Sequence, residues 1–394
     1  MKDLSVNSNL QERRTPALII NEERNNHPVE RQMKTTAEEA VCGLNALLLG
    51  EARAHRTVGY KNSVSRYHML VMSRCNELSN SLTDRTYRPE KGERHEVWEP
   101  RYRLTISSKY KDRVPQSSFV TNYFYPNVIP NLIENNCACI KGRGVDLARS
   151  VFIEMLRNAD MDDWIVKADM QSYFASIEHE KLYEEMSSYI TDPWAMWFYQ
   201  TTVENTANPI GLDLGSEVYQ LSATSFLNRM DHLFDTGNYI RYQDDLVIIG
   251  PKEVCKESLE RIKQEAQRLG LTVSKKKTYA QPVSRPIKFL GFSYLKKPTG
   301  RVTAKRLPEK LRRERQKLRR MKKSGIALER VLEHYQCVRA CLKHGSRSDV
   351  VKMDRYFNKL FCLNKQKKGM VNHYGSRNQE GKHRLRKETE RAGP

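Results

Sequence analysis

The segment Tyr239-Ile240-Arg241-Tyr242-Gln243-Asp244-Asp245-Leu246-Val247-Ile248-Ile249 sets two adjacent carboxylates inside a run of apolar and aromatic β-formers. Tyr239 to Gly250 reads as a strand hairpin, and a tight turn between its strands would bring both carboxylates near one point. Neighbouring like charges resist joint ionisation and burial unless a cation neutralises them. The plainer alternative is a charged hairpin tip facing water, since Asp is at home in turns of any fold.

A second segment changes that balance. Trp164-Ile165-Val166-Lys167-Ala168-Asp169 is a strand ending in a carboxylate, and Met170-Gln171-Ser172-Tyr173-Phe174 follows, with an aromatic five residues after the acid. Three oxygen ligands from two adjacent strand ends suit Mg²⁺, which takes few carboxylates plus substrate phosphates. Two such ions roughly 3.5 to 4 Å apart can stabilise both the attacking and the leaving oxygen of an in-line displacement. Asp169 alone is ordinary; with Asp244 and Asp245 it makes phosphoryl transfer the leading reaction.

The charge balance agrees. Lys and Arg number 68 against 47 Asp and Glu, a net charge of +21, which points to a polyanionic partner because each cation meeting a phosphate releases a counterion. Nucleic acid is the expected partner, with an anionic membrane surface second. No apolar run approaches the ~18 residues of a membrane span, and Met1 to Ser8 is polar and followed by Glu12, Arg13 and Arg14, unlike a secretory signal. Eight scattered cysteines with no C-x-x-C pair read as free thiols of a reducing, cytoplasmic interior rather than a zinc site.

Along the chain, helices are expected over 37–49 and 65–82, strands at 97–98 and 102–106, a short helix over 119–125 stopped by Pro126, and a helix over 145–157. Lys109 to Arg113 reads as a charged interruption. Beyond Asp169 come helices over 181–190 and 219–233, the hairpin, a helix over 254–269, and strands over 271–280 and 287–294. This order fits an α+β arrangement better than a doubly wound parallel sheet. Lys305 to Lys323 holds 11 Lys or Arg in 19 residues, and with apolar stripes at 326–342 and 349–361 it predicts a basic helical unit.

Asp169-Met170-Gln171-Ser172-Tyr173-Phe174 resembles motif A of reverse transcriptases, and Tyr242-Gln243-Asp244-Asp245 resembles their Tyr-x-Asp-Asp motif C. Gly211 to Gln220, followed by Ala223 and Asn228 to His232, resembles motif B of bacterial members; Leu269 to Thr278 resembles motif D, and Lys288 to Phe292 motif E. Upstream, Arg101 to Ile106, Lys111 to Gln116 and Cys139 to Gly144 resemble the fingers segments. The resemblance runs in order from about Ser65 to Phe361. It implies a right-hand α+β polymerase: an N-terminal arm at 1–35, fingers at 36–158, palm at 159–298, helical thumb at 299–363 and a basic, disordered tail at 364–394.

The resemblance also implies roles. Asp169, Asp244 and Asp245 would hold two Mg²⁺; Phe174 would be the gate against a ribose 2′-OH; Arg103 and Arg113 would grip the triphosphate of the dNTP. Lys277 would protonate the leaving pyrophosphate, with a solvated charge run at Lys275 to Lys277 as the alternative. Gly215 and Gln220 would lie against the templating pair, Gly215 by close backbone approach, with a plain turn as the alternative. Leu214 stands where many reverse transcriptases carry Gln, and Asp213 where Pro is common. An apolar residue at 214 is a trait of diversity-generating retroelement enzymes. The compact layout most resembles defence-associated bacterial reverse transcriptases. The implied reaction is RNA-templated synthesis of cDNA from dNTPs on a dedicated non-coding RNA in antiphage defence. Its rivals are a diversity-generating enzyme, a template-independent polymerase and a non-catalytic RNA-binding scaffold.

Overall fold

A computed structural model of the chain describes residues 36–56, 58–98, 102–204 and 209–362, apart from the side chains of Arg103 and Leu104. The arm at 1–35 and the tail at 364–394 lie outside the described residues. From Ala37 on, the described residues belong to one unit. It opens with α1 (Ala37–Cys42), α2 (Leu44–His55), α3 (Asn62–Met69) and α4 (Val71–Thr83). The two long helices expected here are each broken once, at Gly43, whose ψ of 138° leaves helical geometry, and at Leu70.

The antiparallel hairpin β1 (Glu93–Val97) and β2 (Arg103–Ser107) forms where paired strands were expected, Glu93 opposite Ser107. The next helix is longer than expected. Lys109 to Arg113 does not interrupt the chain but begins α5 (Tyr110–Phe119), which runs through a wide π turn (Val120–Phe124) into α6 (Tyr125–Val128). Pro115 lies inside this helix and Pro126 does not stop it. Residues from Val114 to Phe119 are all buried, so packing outweighs the local cost of a proline.

After α7 (Val145–Asn158) and β3 (Trp164–Asp169) come α8 (Tyr173–Ser176), α9 (His179–Met186) and α10 (Pro193–Glu204). The helix expected over 219–233 is instead α11 (Glu217–Phe226) and α12 (Asn228–Asp231), parted at Leu227, with the Ser216 hydroxyl capping α11 by accepting from the Val218 N–H. The hairpin of β4 (Tyr239–Tyr242) and β5 (Asp245–Gly250), then α13 (Lys252–Arg268), match expectation closely. The strand expected over 271–280 does not form. Val273 makes a single bridge to Met170, the chain turns at Ser274, and only β6 (Tyr279–Pro282) is extended. β7 (Ile287–Phe289) and β8 (Phe292–Lys296) split the expected single strand at Leu290-Gly291, where both φ angles are positive. β9 (Val302–Arg306) completes their sheet, so the basic helix α14 (Pro308–Lys323) begins after it. α15 (Leu328–Lys343) and α16 (Arg347–Leu360) pack with α14 around Leu318, Tyr335, Met353 and Phe357.

The central sheet has the order β4-β5-β3-β6, antiparallel throughout, in keeping with an α+β fold. Alternation along its strands divides the interior in two. Val166, Ala168, Leu246 and Ile248 face the large core shared with the N-terminal helices and α9 to α13. Ile165, Ile240, Val247 and Ile249 face α7 and the β7-β8-β9 sheet. Burial on both faces is why these strands read as near-continuous apolar runs, and why a carboxylate at their ends is conspicuous.

Candidate active site

Strand pairing gathers the carboxylates. Asp169, the last residue of β3, lies directly opposite Asp245, the first of β5. Asp244 sits in the two-residue turn that joins Tyr242 to Asp245, and Gln243 beside it has φ +58. A non-glycine residue in that region costs ~1–2 kcal/mol, and the surroundings hold it there. The Arg241 guanidinium donates through Nη1 to the Gln243 carbonyl at 2.9 Å and through Nη2 to the Thr224 carbonyl at 2.9 Å, tying the turn to α11. Arg241 is itself held by Asp231 through Nε at 2.6 Å and Nη2 at 2.5 Å, and the Tyr239 hydroxyl donates to the same carboxylate at 2.6 Å. Both members of this ion pair are completely buried.

Two ammonium groups stand among the carboxylates. Lys277 Nζ lies 2.7 and 2.9 Å from the two Asp169 oxygens, and Lys167 Nζ lies 2.6 Å from Asp245 Oδ1. Lys277 is carried there by the segment that lies along the end of β3. The Ser274 N–H donates to the Asp169 carbonyl at 2.8 Å, the Gln171 N–H donates to the Thr272 carbonyl at 2.8 Å, and the Asp169 N–H donates to Thr278 Oγ1. Burial, with the Asp169 charge next, pushes the Asp244 carboxyl up to about 6. Burial also raises Asp245, against the opposing pull of Lys167. Among the described residues no three His, Cys, Asp or Glu side chains are drawn together at metal-ligand spacing. The chemistry of the donor set nonetheless suits a hard divalent cation: three carboxylates at adjoining strand ends, two of them costly to ionise without a compensating charge.

The other expected site residues lie around the β1–β2 hairpin and the 211–220 loop. Arg103 opens β2 opposite Val97, while its side chain falls outside the described residues. Arg113 on α5 donates from Nε to the Ser108 carbonyl at 3.1 Å. A Cβ on Gly215 would stand 2.5 Å from the Ile106 carbonyl oxygen and 3.0 Å from Ser107 Cα, so the close approach seen at this glycine is to the backbone of β2. Gln220 is exposed on α11 and reaches back to the Leu214 carbonyl. Phe174, on α8 just past Asp169, accepts the Leu212 N–H on its carbonyl at 2.7 Å and stands edge-on to Tyr173. Sequence reasoning gave no role to Lys167, Asp231 or Arg241. A lysine within an apolar strand, and an arginine two residues before the carboxylate-bearing turn, were the signals that could have found two of them.

Residues 100–294 match the family profile described as reverse transcriptase (RNA-dependent DNA polymerase). No match is found among curated proteins. Solved structures that resemble the chain include apo telomerase from Candida tropicalis (12% identity, TM-score 0.40, 56% of this chain and 52% of that one). A C-terminally truncated form of the same protein gives 15% identity and TM-score 0.41, covering 59% and 60%. Candida albicans telomerase in complex with a fragment of telomeric RNA gives 11% and 0.40, covering 70% and 55%. The chain thus spans little more than half the length of these structures. Reverse transcriptase domains in general work with divalent metal ions, and among the described residues no helix is long and apolar enough to cross a membrane. With its paired strand-end carboxylates, the stretch from residue 100 to 294 is a reverse transcriptase (RNA-dependent DNA polymerase) domain.

Proposed function

We propose that the protein copies a dedicated non-coding RNA into cDNA from dNTPs, with two Mg²⁺ ions, in bacterial antiphage defence. The observation that carries the polymerase reading is the placement of Asp169 opposite Asp245 with Asp244 in the adjoining turn. Asp169, Asp244 and Asp245 would hold the ions, which would supply charge stabilisation for the attacking hydroxyl and the leaving pyrophosphate. Lys277, whose ammonium lies 2.7 Å from Asp169 Oδ1, would give a proton to the leaving group. Phe174 would close the space beside the sugar, and Arg103 and Arg113 would meet the triphosphate. On this reading residues 36–158 are fingers, 159–298 palm and 299–363 thumb, with α14 tracking phosphates without reading sequence. Leu214 before Gly215 supports the rival assignment to diversity-generating retroelements.

The test sequences the nucleic acids that co-purify with tagged protein from cells, with and without phage, for wild type and for Asp244→Ala combined with Asp245→Ala. The expected result is cDNA antisense to one bound small RNA in wild type alone, with RNA affinity and its salt slope retained in the variant. The same RNA in both, with cDNA in neither, would leave an RNA-binding scaffold in place of the enzyme. Template-directed mutations spread through a variable gene would favour diversification over defence.

A further inference from the structure

We infer that Trp98, at the end of the β1–β2 hairpin, and one face of α14 together hold a segment of single-stranded nucleic acid, with a base stacked on the indole and phosphates on the helix. Trp98 is 69% exposed, and Tyr102 across the hairpin is 52% exposed, with their ring centroids 4.8 Å apart and tilted by 55°. Two large aromatic rings kept in solvent at a hairpin tip serve no core. Trp98 faces a cleft of about 460 Å³ whose other wall is α14, through Lys310, Arg313, Lys317 and Arg320. Steps of three, four and three residues place these cations on one stripe of the helix, which extends ~15 Å along its axis. Leu311, Leu318 and Met321 of α14 pack instead into the helical core with α15 and α16, so the fold does not require the stripe to be basic. Glu314, a carboxylate at the cleft, lies 3.3 Å from His334.

An aromatic platform beside a row of cations is the arrangement that binds an unpaired strand: every base offers a π-face, and the phosphates meet the positive groove whatever the sequence. Duplex bases are stacked on one another and cannot use the indole in this way. A free protein partner would have to be strongly acidic and would gain nothing particular from Trp98. The single strand fits both walls. This inference rests on the polymerase reading and deepens it, by assigning the strand beyond the active site a contact that bridges the hairpin to α14.

The test uses the full-length protein and fluorescently labelled oligo(U) and oligo(dT) of about 12 nucleotides, within the ~4–16 that single-strand-binding folds occupy, with an RNA–DNA duplex of the same length, in the absence of Mg²⁺ and dNTPs. Trp98→Ala is expected to weaken binding of both single strands by about 5- to 150-fold, with an unchanged salt slope and an unchanged duplex affinity. Trp98→Phe, which keeps a ring, should retain most of the binding. Arg313→Gln combined with Lys317→Gln should flatten the salt slope by about 1.4, from ~0.7 per cation for single strands. Trp98 is exposed, and a matching thermal melt for each variant confirms an intact fold. Single-strand affinity of Trp98→Ala within twofold of wild type overturns the inference, as does an equal loss on the duplex. Because no metal or nucleotide is present, a protein that binds in this way but cannot extend a primer refutes the polymerase reading alone. Extension by a protein indifferent to Trp98→Ala refutes only this inference.

Discussion

Asp231→Ala is the substitution for which the structure gives the largest calculable effect. Asp231 is completely buried and receives two hydrogen bonds from Arg241 and one from Tyr239. Removing it leaves a guanidinium in the interior with two carbonyl partners and no counter-charge. Breaking a buried pair from one side typically costs ~3–5 kcal/mol. At ~2–4 °C per kcal/mol, that corresponds to a fall in Tm on the order of 10 °C. Urea unfolding should show the midpoint shifting at constant slope. The control is Asp231→Leu combined with Arg241→Met, which removes both charges together. It forfeits the hydrogen bonds to Gln243 and Thr224, at ~1 kcal/mol each, but not the uncompensated charge, so it should be clearly more stable than Asp231→Ala. A double-mutant cycle should give at least ~2 kcal/mol of coupling. Primer extension should drop most in the double variant, because there the turn bearing Asp244 loses the Arg241 brace on Gln243. A loss below ~1 kcal/mol for Asp231→Ala, or a double variant as unstable as the single one, would refute the view that the pair is held by mutual neutralisation.

Two further outcomes follow from geometry and titration. Gly215→Ala must push its new Cβ away from the Ile106 carbonyl, at an overpacking cost of ~1–3 kcal/mol, so it should lower urea stability and raise the KM for dNTP by displacing β2; unchanged values for both would show that the contact yields freely. Burial raises Asp213 from 3.8 to about 6, so the folded state holds this proton more tightly than the unfolded chain. Its contribution to stability is therefore complete below the unfolded value and lost as pH rises through about 6. The advantage of Asp213→Asn over wild type should grow between about pH 4 and 7 and be absent at the acid end; a constant difference across that range would contradict the assignment.

Asp169, Asp244 and Asp245 were legible in the sequence because acids at the edges of apolar strands are rare enough to stand out, and their pairing across β3 and β5 is as expected. The braces were not. Asp231 and Arg241 meet only because α12 and β4 fold together, and nothing local marks Asp231 as buried. Helix α10 escaped notice because its aromatic-rich sequence, Pro193 to Glu204, is apolar on most sides and carries no clear helical period. The helix through Pro115 was hidden for the opposite reason, since its charged first turn and its proline argue locally against a segment that burial then enforces. That a Cβ at Gly215 would meet the backbone of β2 is a long-range contact that no local signal in the sequence announces. At 271–280, the β-formers Leu271 to Val273 and Thr278-Tyr279 suggested one strand, where the structure uses a turn at Ser274 to carry Lys277 to Asp169.

The strand order β4-β5-β3-β6 has a consequence for how the chain is made. β3 is the earliest of the four to leave the ribosome, yet both of its neighbours, β5 and β6, are encoded later. At ~5–20 residues per second, the roughly 75 residues between Asp169 and Asp245 take on the order of 4–15 s to synthesise. Throughout that interval Ile165, Val166 and Ala168 have no partner strand on either edge. Nascent chains stalled between β3 and β5 should therefore be the ones that chaperones capture and that aggregate when synthesis is slowed.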